Sequence, residues 1–286
     1  STYKRNFYAM ETLKNILGHD IIVNRLTANY IKEQFLVSGK ENGTLNEHRS
    51  RLFALLHWGY ENDYVKDVSF LHKVKPFKDV SHKEKIQDKY LEPEEVKQLL
   101  DAMRTEKWKL FTEFLILSGL RIGEAVALTK EDIDFENHVI KVNKNYDPNN
   151  EVVTTPKTLS SIREVYMQPD LETVVRSMLL YTKIEGMENG HRSDLFIANK
   201  KGMHINYYSY NKYLKENSAR VLNRSITAHA LRHTHASLLL AQGVDIDAIA
   251  RRLGHENSKI TKEIYLHITQ QLKERDNEQI RKIQML

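Results

Sequence analysis

From Met10 to Phe77 the apolar residues recur at helical spacing, as Leu13, Ile16, Leu17 and Ile21 and then Leu26, Tyr30, Ile31 and Phe35. Each set lines one face of a short helix. Gly39, Asn42 and Gly43 interrupt the run, and Leu52, Leu55, Leu56, Trp58 and Tyr60 restart it with Arg49 and Arg51 on the entering turn. Thr2 to Met10 carry no clear start signal. The segment is expected to form a small helical bundle.

The pattern changes after Phe77. Ser81 to Lys89 is charged and almost free of apolar residues, and it follows Pro76 and the basic cluster Lys73, Lys75 and Lys78, as an interdomain linker would. Beyond it, Pro93 with Glu92, Glu94 and Glu95 marks a helix start, because proline needs no N–H there and carboxylates favour the positive helix end. Leu110, Phe111, Phe114, Leu115 and Leu117 predict a strongly buried helix that Gly119 ends in a left-handed turn, with a new helix restarting at once and carrying Arg121. Val139 to Tyr146, Val152 to Lys157 and Ile162 to Met167 are rich in β-branched and aromatic residues and predict a three-stranded antiparallel sheet. The remainder returns to helix. The expected fold is mainly α with a small antiparallel β-sheet, an α+β second domain preceded by an all-α bundle. The boundaries are 1–80, linker 81–89 and 90–286.

At 286 residues the chain has room for two cores. A net charge of +5 leans toward a polyanionic partner, although 38 acidic residues temper it. The absence of cysteine excludes disulfides and thiolate metal sites. Neither a signal-like segment nor a membrane-length apolar run is present, so a soluble, cytoplasmic protein without membrane association is expected. A start at Ser1 instead of Met is consistent with a fragment.

The chemistry is concentrated in three stretches. In Thr227 to His235 (TAHALRHTH), Thr227 is placed to cap a helix that presents His229 and, three positions on, Arg232 on one face. A cationic pair at a helix N-terminus, where free N–H groups already attract anions, suits a phosphate. In Ser118 to Glu124 (SGLRIGE), Arg121 sits at another helix start, where its guanidinium can fork onto phosphate oxygens, and Glu124 is read as structural, orienting Arg121. In Leu253 to His267 (LGHENSKITKEIYLH), His255 stands beside Gly254, Ser258 starts a helix, and Tyr265 follows.

Taken in order, these stretches resemble the tyrosine recombinase family of phage and integrative-element integrases. The family pattern is an Arg after Gly-Leu, a Lys in a β-hairpin, His-x-x-Arg, a Gly-His and a Tyr some ten residues later. The matching positions are Arg121, Lys157 (in TTPKTLSSIRE), His229, Arg232, His255 and Tyr265. The resemblance covers Leu91 to Thr269, and NEHRSRLFALLHWGYENDYV is similar to the last helices of the family's DNA-clamping domain. The family's further N-terminal arm-binding domain has no counterpart here; if the chain is a fragment, that is the part removed.

The resemblance implies a site-specific recombinase that cuts and rejoins DNA through a 3′-phosphotyrosine, integrating or excising a mobile element or prophage. Tyr265 would be the nucleophile, Arg121 and Arg232 would bind the non-bridging oxygens, and His255 would add a hydrogen bond. His229 would act as general base or proton shuttle, and Lys157 would protonate the departing 5′ oxygen. One phosphodiester bond is conserved in the tyrosyl link, so no ATP, metal or other cofactor is expected. The implied partners are double-stranded DNA at attachment-type sites, three further copies in a synaptic homotetramer, and excisionase or DNA-bending accessory factors. Lys73, Lys75, Lys78 and Lys157 are read as phosphate contacts. Leu272, Ile280, Ile283 and Leu286 give the tail a loose helical face that packs in cis or docks on a neighbouring protomer.

A metal hydrolase built on His229, His233 and His235 is disfavoured because Ala230 stands where a zinc-peptidase helix needs Glu, and His233 and His235 are read as packing or hydrogen-bonding residues. A type IB topoisomerase shares the tyrosyl chemistry, but the short His255-to-Tyr265 spacing favours integrase. A DNA-binding regulator on the same scaffold is disfavoured by the complete set of positions. Tyr207, Tyr208, Tyr210 and Tyr213 are read as core or interface residues.

Overall fold

The structure is a computed structural model that describes residues 2–78, 90–156, 161–254 and 281. The chain divides into two compact units, Ser1–Glu84 and Lys85–Leu286. The proposed linker, residues 81–89, lies outside the described residues.

The first unit contains α1 (Thr2–Leu17), α2 (Ala28–Val37) and α3 (Asn42–Glu61). Leu13, Ile16, Leu17, Ile31, Phe35, Leu52 and Leu56 form its core, following the periodicity of the sequence. Thr27 caps α2 by accepting the Tyr30 N–H at 3.2 Å. Two boundaries differ from expectation. The first helix reaches back to Thr2, and Arg51 holds that early stretch by donating to the Arg5 carbonyl at 3.0 Å. The third helix begins at Asn42, so Gly43 lies inside its first turn and Arg49 and Arg51 lie in its body. First-turn N–H groups have no intrahelical partner, so glycine weakens little there. Distant bonds secure the turn: Asn42 donates to the Lys78 carbonyl at 2.8 Å, and Asn46 exchanges two 2.8 Å bonds with the Phe77 backbone. Lys73, Lys75 and Lys78 are exposed between and beyond the buried anchors Leu71 and Val74.

The second unit is mostly helical with two small antiparallel sheets. Its helices are α4 (Pro93–Ala102), α5 (Glu106–Ser118), α6 (Ile122–Ala127), α7 (Pro169–Glu188), α8 (Tyr207–Leu222), α9 (Ala228–Ala241) and α10 (Ile246–Leu253). Helix α5 is apolar around most of its circumference and lies between α7 and α9, so it is the centre of the core. Gly119 ends it with φ +69°, a left-handed conformation, and a Cβ there would meet His235 Cδ2 at 2.4 Å; both facts require glycine.

The sheet differs from the single three-stranded one expected. Strands β1 (Ile133–Asp134), β2 (Val139–Val142) and β5 (Arg163–Tyr166) form one sheet, with Ile140 opposite both Ile133 and Val165. Strands β3 (Asn145–Asp147) and β4 (Val152–Thr154) form a separate hairpin. The apolar run from Val139 to Tyr146 splits at Asn143 and Lys144. There the Lys144 ammonium pairs with Asp132 at 2.7 Å and bonds Thr129 at 3.1 Å, anchoring the segment to the turn before β1. Among the described residues, no helix is long and apolar enough to cross a membrane.

Candidate active site

Arg121 follows the Gly119 turn as the first residue before α6. Its backbone N–H and one guanidinium nitrogen both donate to Glu124, at 2.9 and 2.8 Å, while 36% of its side chain stays exposed. The carboxylate is buried, and although burial alone would raise its pKa, hydrogen bonds and charge from Arg163 and Arg121 hold it below the ordinary value. Glu124 therefore remains ionised and fixes Arg121 from beneath. Arg121 and Glu124 line a cavity of about 340 Å³ together with Asn145, Thr154, Thr155, Pro156 and Ser161.

His229 and Arg232 enter from α9. Thr227 occupies the N-cap position, but its side chain makes no capping bond; the Ala228 N–H instead donates to Asn211 Oδ1 at 3.0 Å. The side chains also separate more than a shared helix face implies. His229 is exposed on the first turn, whereas Arg232 is 1% exposed. The Arg232 guanidinium donates to the Gly119 carbonyl at 2.6 Å and to the Leu253 carbonyl. Burial, followed by the charge of Arg121, pushes its pKa down to about 9, which leaves it cationic at neutral pH. For His229, partial removal from solvent and then the charges of Arg232 and Arg121 lower the pKa, so the neutral imidazole is favoured. The Arg232 bond to the Gly119 carbonyl, two residues before Arg121, joins the start of α9, with His229 one turn before Arg232, to the turn that presents Arg121.

Lys157, His255 and Tyr265, as well as Ser258 and nearly all of the tail, lie outside the described residues. Among the described residues, the four tyrosines of the 207–213 segment have other roles. Tyr210 is fully buried, hydrogen-bonded to Thr112 at 2.9 Å, and burial pushes its pKa up. Burial raises Tyr207 to about 12, Tyr208 donates to Asn149 at 3.0 Å, and Tyr213 accepts the N–H groups of Arg104 and Thr105. His235 is buried, and His233 packs edge-on against His229. Among the described residues, no group of three or more His, Asp or Glu is placed to hold a metal ion.

Two half-buried arginines carry no signal in the motifs of the sequence. Arg163 pairs with Glu124, and Arg252 donates to His235 Nε2 at 3.0 Å and to the Tyr166 carbonyl at 2.9 Å. Their signal lies in the periodicity instead: Arg163 alternates with Val165 on the inward side of β5, and Arg252 stands three residues after buried Ile249 on α10.

A mostly helical unit with small antiparallel sheets is the fold expected of a tyrosine recombinase, an enzyme that breaks and rejoins DNA strands. Residues 89–271 match the model of the phage integrase family, and the chain belongs to that family. The prophage ps2 probable integrase of Lactococcus lactis subsp. lactis (strain IL1403) is 28% identical over 275 residues, covering 89% of this chain and 71% of its own length. The integrase of Staphylococcus phage L54a is 25% identical over 293 residues, covering 92% and 81%. In fold, the chain is similar to the Tn1549 transposon integrase in complex with transposon right end DNA, with a TM-score of 0.72, 22% identity and coverage of 95% of this chain and 93% of that one. It is likewise similar to a lambda integrase dimer bound to a COC′ core site, at TM-score 0.69, 13% identity and coverage of 92% and 88%. As a member of the phage integrase family, the chain carries out site-specific recombination of DNA.

Proposed function

We propose that this integrase cleaves DNA by attack of Tyr265 on a phosphate held by Arg121 and Arg232, and that it integrates or excises a mobile element or prophage. The observation that carries the reading is the hydrogen bond from Arg232 to the Gly119 carbonyl, which joins the helix of His229 and Arg232 to the turn that presents Arg121, more than 100 residues earlier. A phosphodiester passing to a pentavalent state gathers negative charge on its non-bridging oxygens, and fixed donors aimed there stabilise that state more than the ground state. Arg121 acts from the cavity wall, and Arg232 adds a rigid positive charge from below. His229, neutral at pH 7, takes the Tyr265 proton. A phenol of pKa about 10 is only about one part in a thousand ionised at that pH, so it needs a base or a cationic field.

Lys157 protonates the departing 5′ oxygen and His255 adds a hydrogen bond to the phosphate. The tyrosyl ester conserves the bond energy, and a 5′ hydroxyl from a partner duplex reverses the step. In this reading residues 1–80 clamp the DNA with Lys73, Lys75 and Lys78 on its phosphates, 81–89 link, and 90–286 catalyse. Four copies act in the synaptic complex, with excisionase or DNA-bending factors setting direction.

Arg121→Ala tests the reading. Single-turnover cleavage of a nicked suicide substrate should fall at least about 10²-fold, the scale of losing one preorganised donor. A loss below about tenfold assigns Arg121 to structure alone.

A further inference from the structure

Arg163 is 7% exposed at the side chain and makes four hydrogen bonds from one guanidinium. Two go to Glu124, at 3.2 Å to Oε1 and 2.9 Å to Oε2. The others go to the Ser161 carbonyl at 3.1 Å and to the Arg252 carbonyl at 2.7 Å. Glu124 is thereby shared, its two oxygens accepting from Arg163 on one side and from Arg121 on the other. Ser161 lines the same cavity as Arg121, and Arg252 stands two residues before Gly254, the left-handed end of α10.

We propose that Arg163 is a positioning residue for strand cleavage: through the shared Glu124 carboxylate it sets where the Arg121 guanidinium points. Through the two carbonyls it fixes the cavity wall and the end of α10 to that same point. The proposal rests on the reading of Arg121 as a phosphate donor.

The physical argument is competition for one carboxylate. With Arg163 in place, each oxygen of Glu124 already accepts from a second guanidinium, so Arg121 is held by one side-chain bond and leaves its outer nitrogens to the cavity. Without Arg163, a buried carboxylate keeps a single cationic partner. A fork-on-fork pair with Arg121 then becomes the favoured arrangement, and it turns that guanidinium away from a phosphate. Lysine at the position returns the charge but not the fork, because an ammonium cannot span two carboxylate oxygens and two carbonyls in one plane.

The test is a double-mutant cycle read by single-turnover cleavage of a suicide substrate at saturating DNA, with DNA affinity and thermal midpoint measured alongside. Arg163→Lys should slow cleavage by about tenfold or more while DNA affinity stays within about threefold, the split of an interaction expressed in the transition state. In an Arg121→Lys background the same change should cost less than about threefold, since the two act through one guanidinium. Parental cleavage by Arg163→Lys, or a defect that multiplies in full with Arg121→Lys, overturns the proposal. If Arg121→Lys itself cleaves like the parent, the reading of Arg121 falls and this proposal with it; an impaired Arg121→Lys beside an unimpaired Arg163→Lys removes only the positioning role. Should Arg163→Lys fail to fold, Glu124→Gln combined with Arg163→Gln removes that ion pair as a unit and should show the same cleavage defect. Parental cleavage by that pair overturns the proposal equally.

Discussion

Arg232 donates a 2.6 Å hydrogen bond to the carbonyl of Gly119, 113 residues earlier in the chain. Its other terminal nitrogen donates to the Leu253 carbonyl. One buried cation therefore ties the turn that presents Arg121 to the last residue of α10, so the charge proposed to act on the phosphate also holds the backbone.

Replacing Arg232 by lysine separates these roles. An ammonium on a single stem serves one carbonyl and leaves the other unsatisfied, which costs about 1–3 kcal/mol of stability. Cleavage should fall at least about 10²-fold as the preorganised charge is displaced. Urea midpoints and single-turnover cleavage together check this; unchanged stability would mean that the two carbonyl bonds do not hold the turn.

His235 should make stability sensitive to acid. Its Nδ1–H donates to the Ile116 carbonyl at 2.7 Å and its Nε2 accepts from Arg252, so the buried ring is neutral by construction. Burial, then the charge of Arg252, pushes its pKa down to about 3. The unfolded chain binds the proton at about 6.5 and the folded chain does not, so stability linked to this ring is intact above that pH and declines as pH falls toward the folded value. The decline approaches about 1.4 kcal/mol per pH unit. In His235→Gln, whose amide does not titrate, denaturant midpoints should depend less steeply on pH by about one proton. An unchanged slope would show that the ring is protonated in the folded state.

His229 bears on rate. Its lowered pKa keeps the base form available below the ordinary value, so the acid limb of single-turnover cleavage should lie below pH about 6.5 and vanish from the profile of His229→Gln. A limb at or above that value would contradict the depressed base.

Much of this site was legible because local rules carry it. Gly119 before Arg121 gives a left-handed stop and a restart, and His229 with Arg232 gives one helix N-terminus, both readable from spacing. The failures arose where distant partners decide. Asn46 and Phe77, 31 residues apart, stabilise a helix start that Gly43 argued against. Asp132 draws Lys144 out of what read as one continuous strand. Arg232 read as a phosphate ligand beside His229, and only tertiary packing turns it onto two carbonyls. Arg163 is the sharpest case, because an inward-facing arginine acquires meaning only when Glu124, 39 residues away, is beside it.

Tyr265, one of fourteen tyrosines, is the residue on which the proposed chemistry depends. The most direct measurement incubates the protein with a nicked suicide substrate, digests the covalent adduct and locates the modified peptide by mass spectrometry, with Tyr265→Phe as control. A nucleotide is expected on Tyr265 in the parent and, in the variant, no adduct with DNA affinity retained. An adduct on another residue, or one that survives in Tyr265→Phe, would contradict the proposed chemistry.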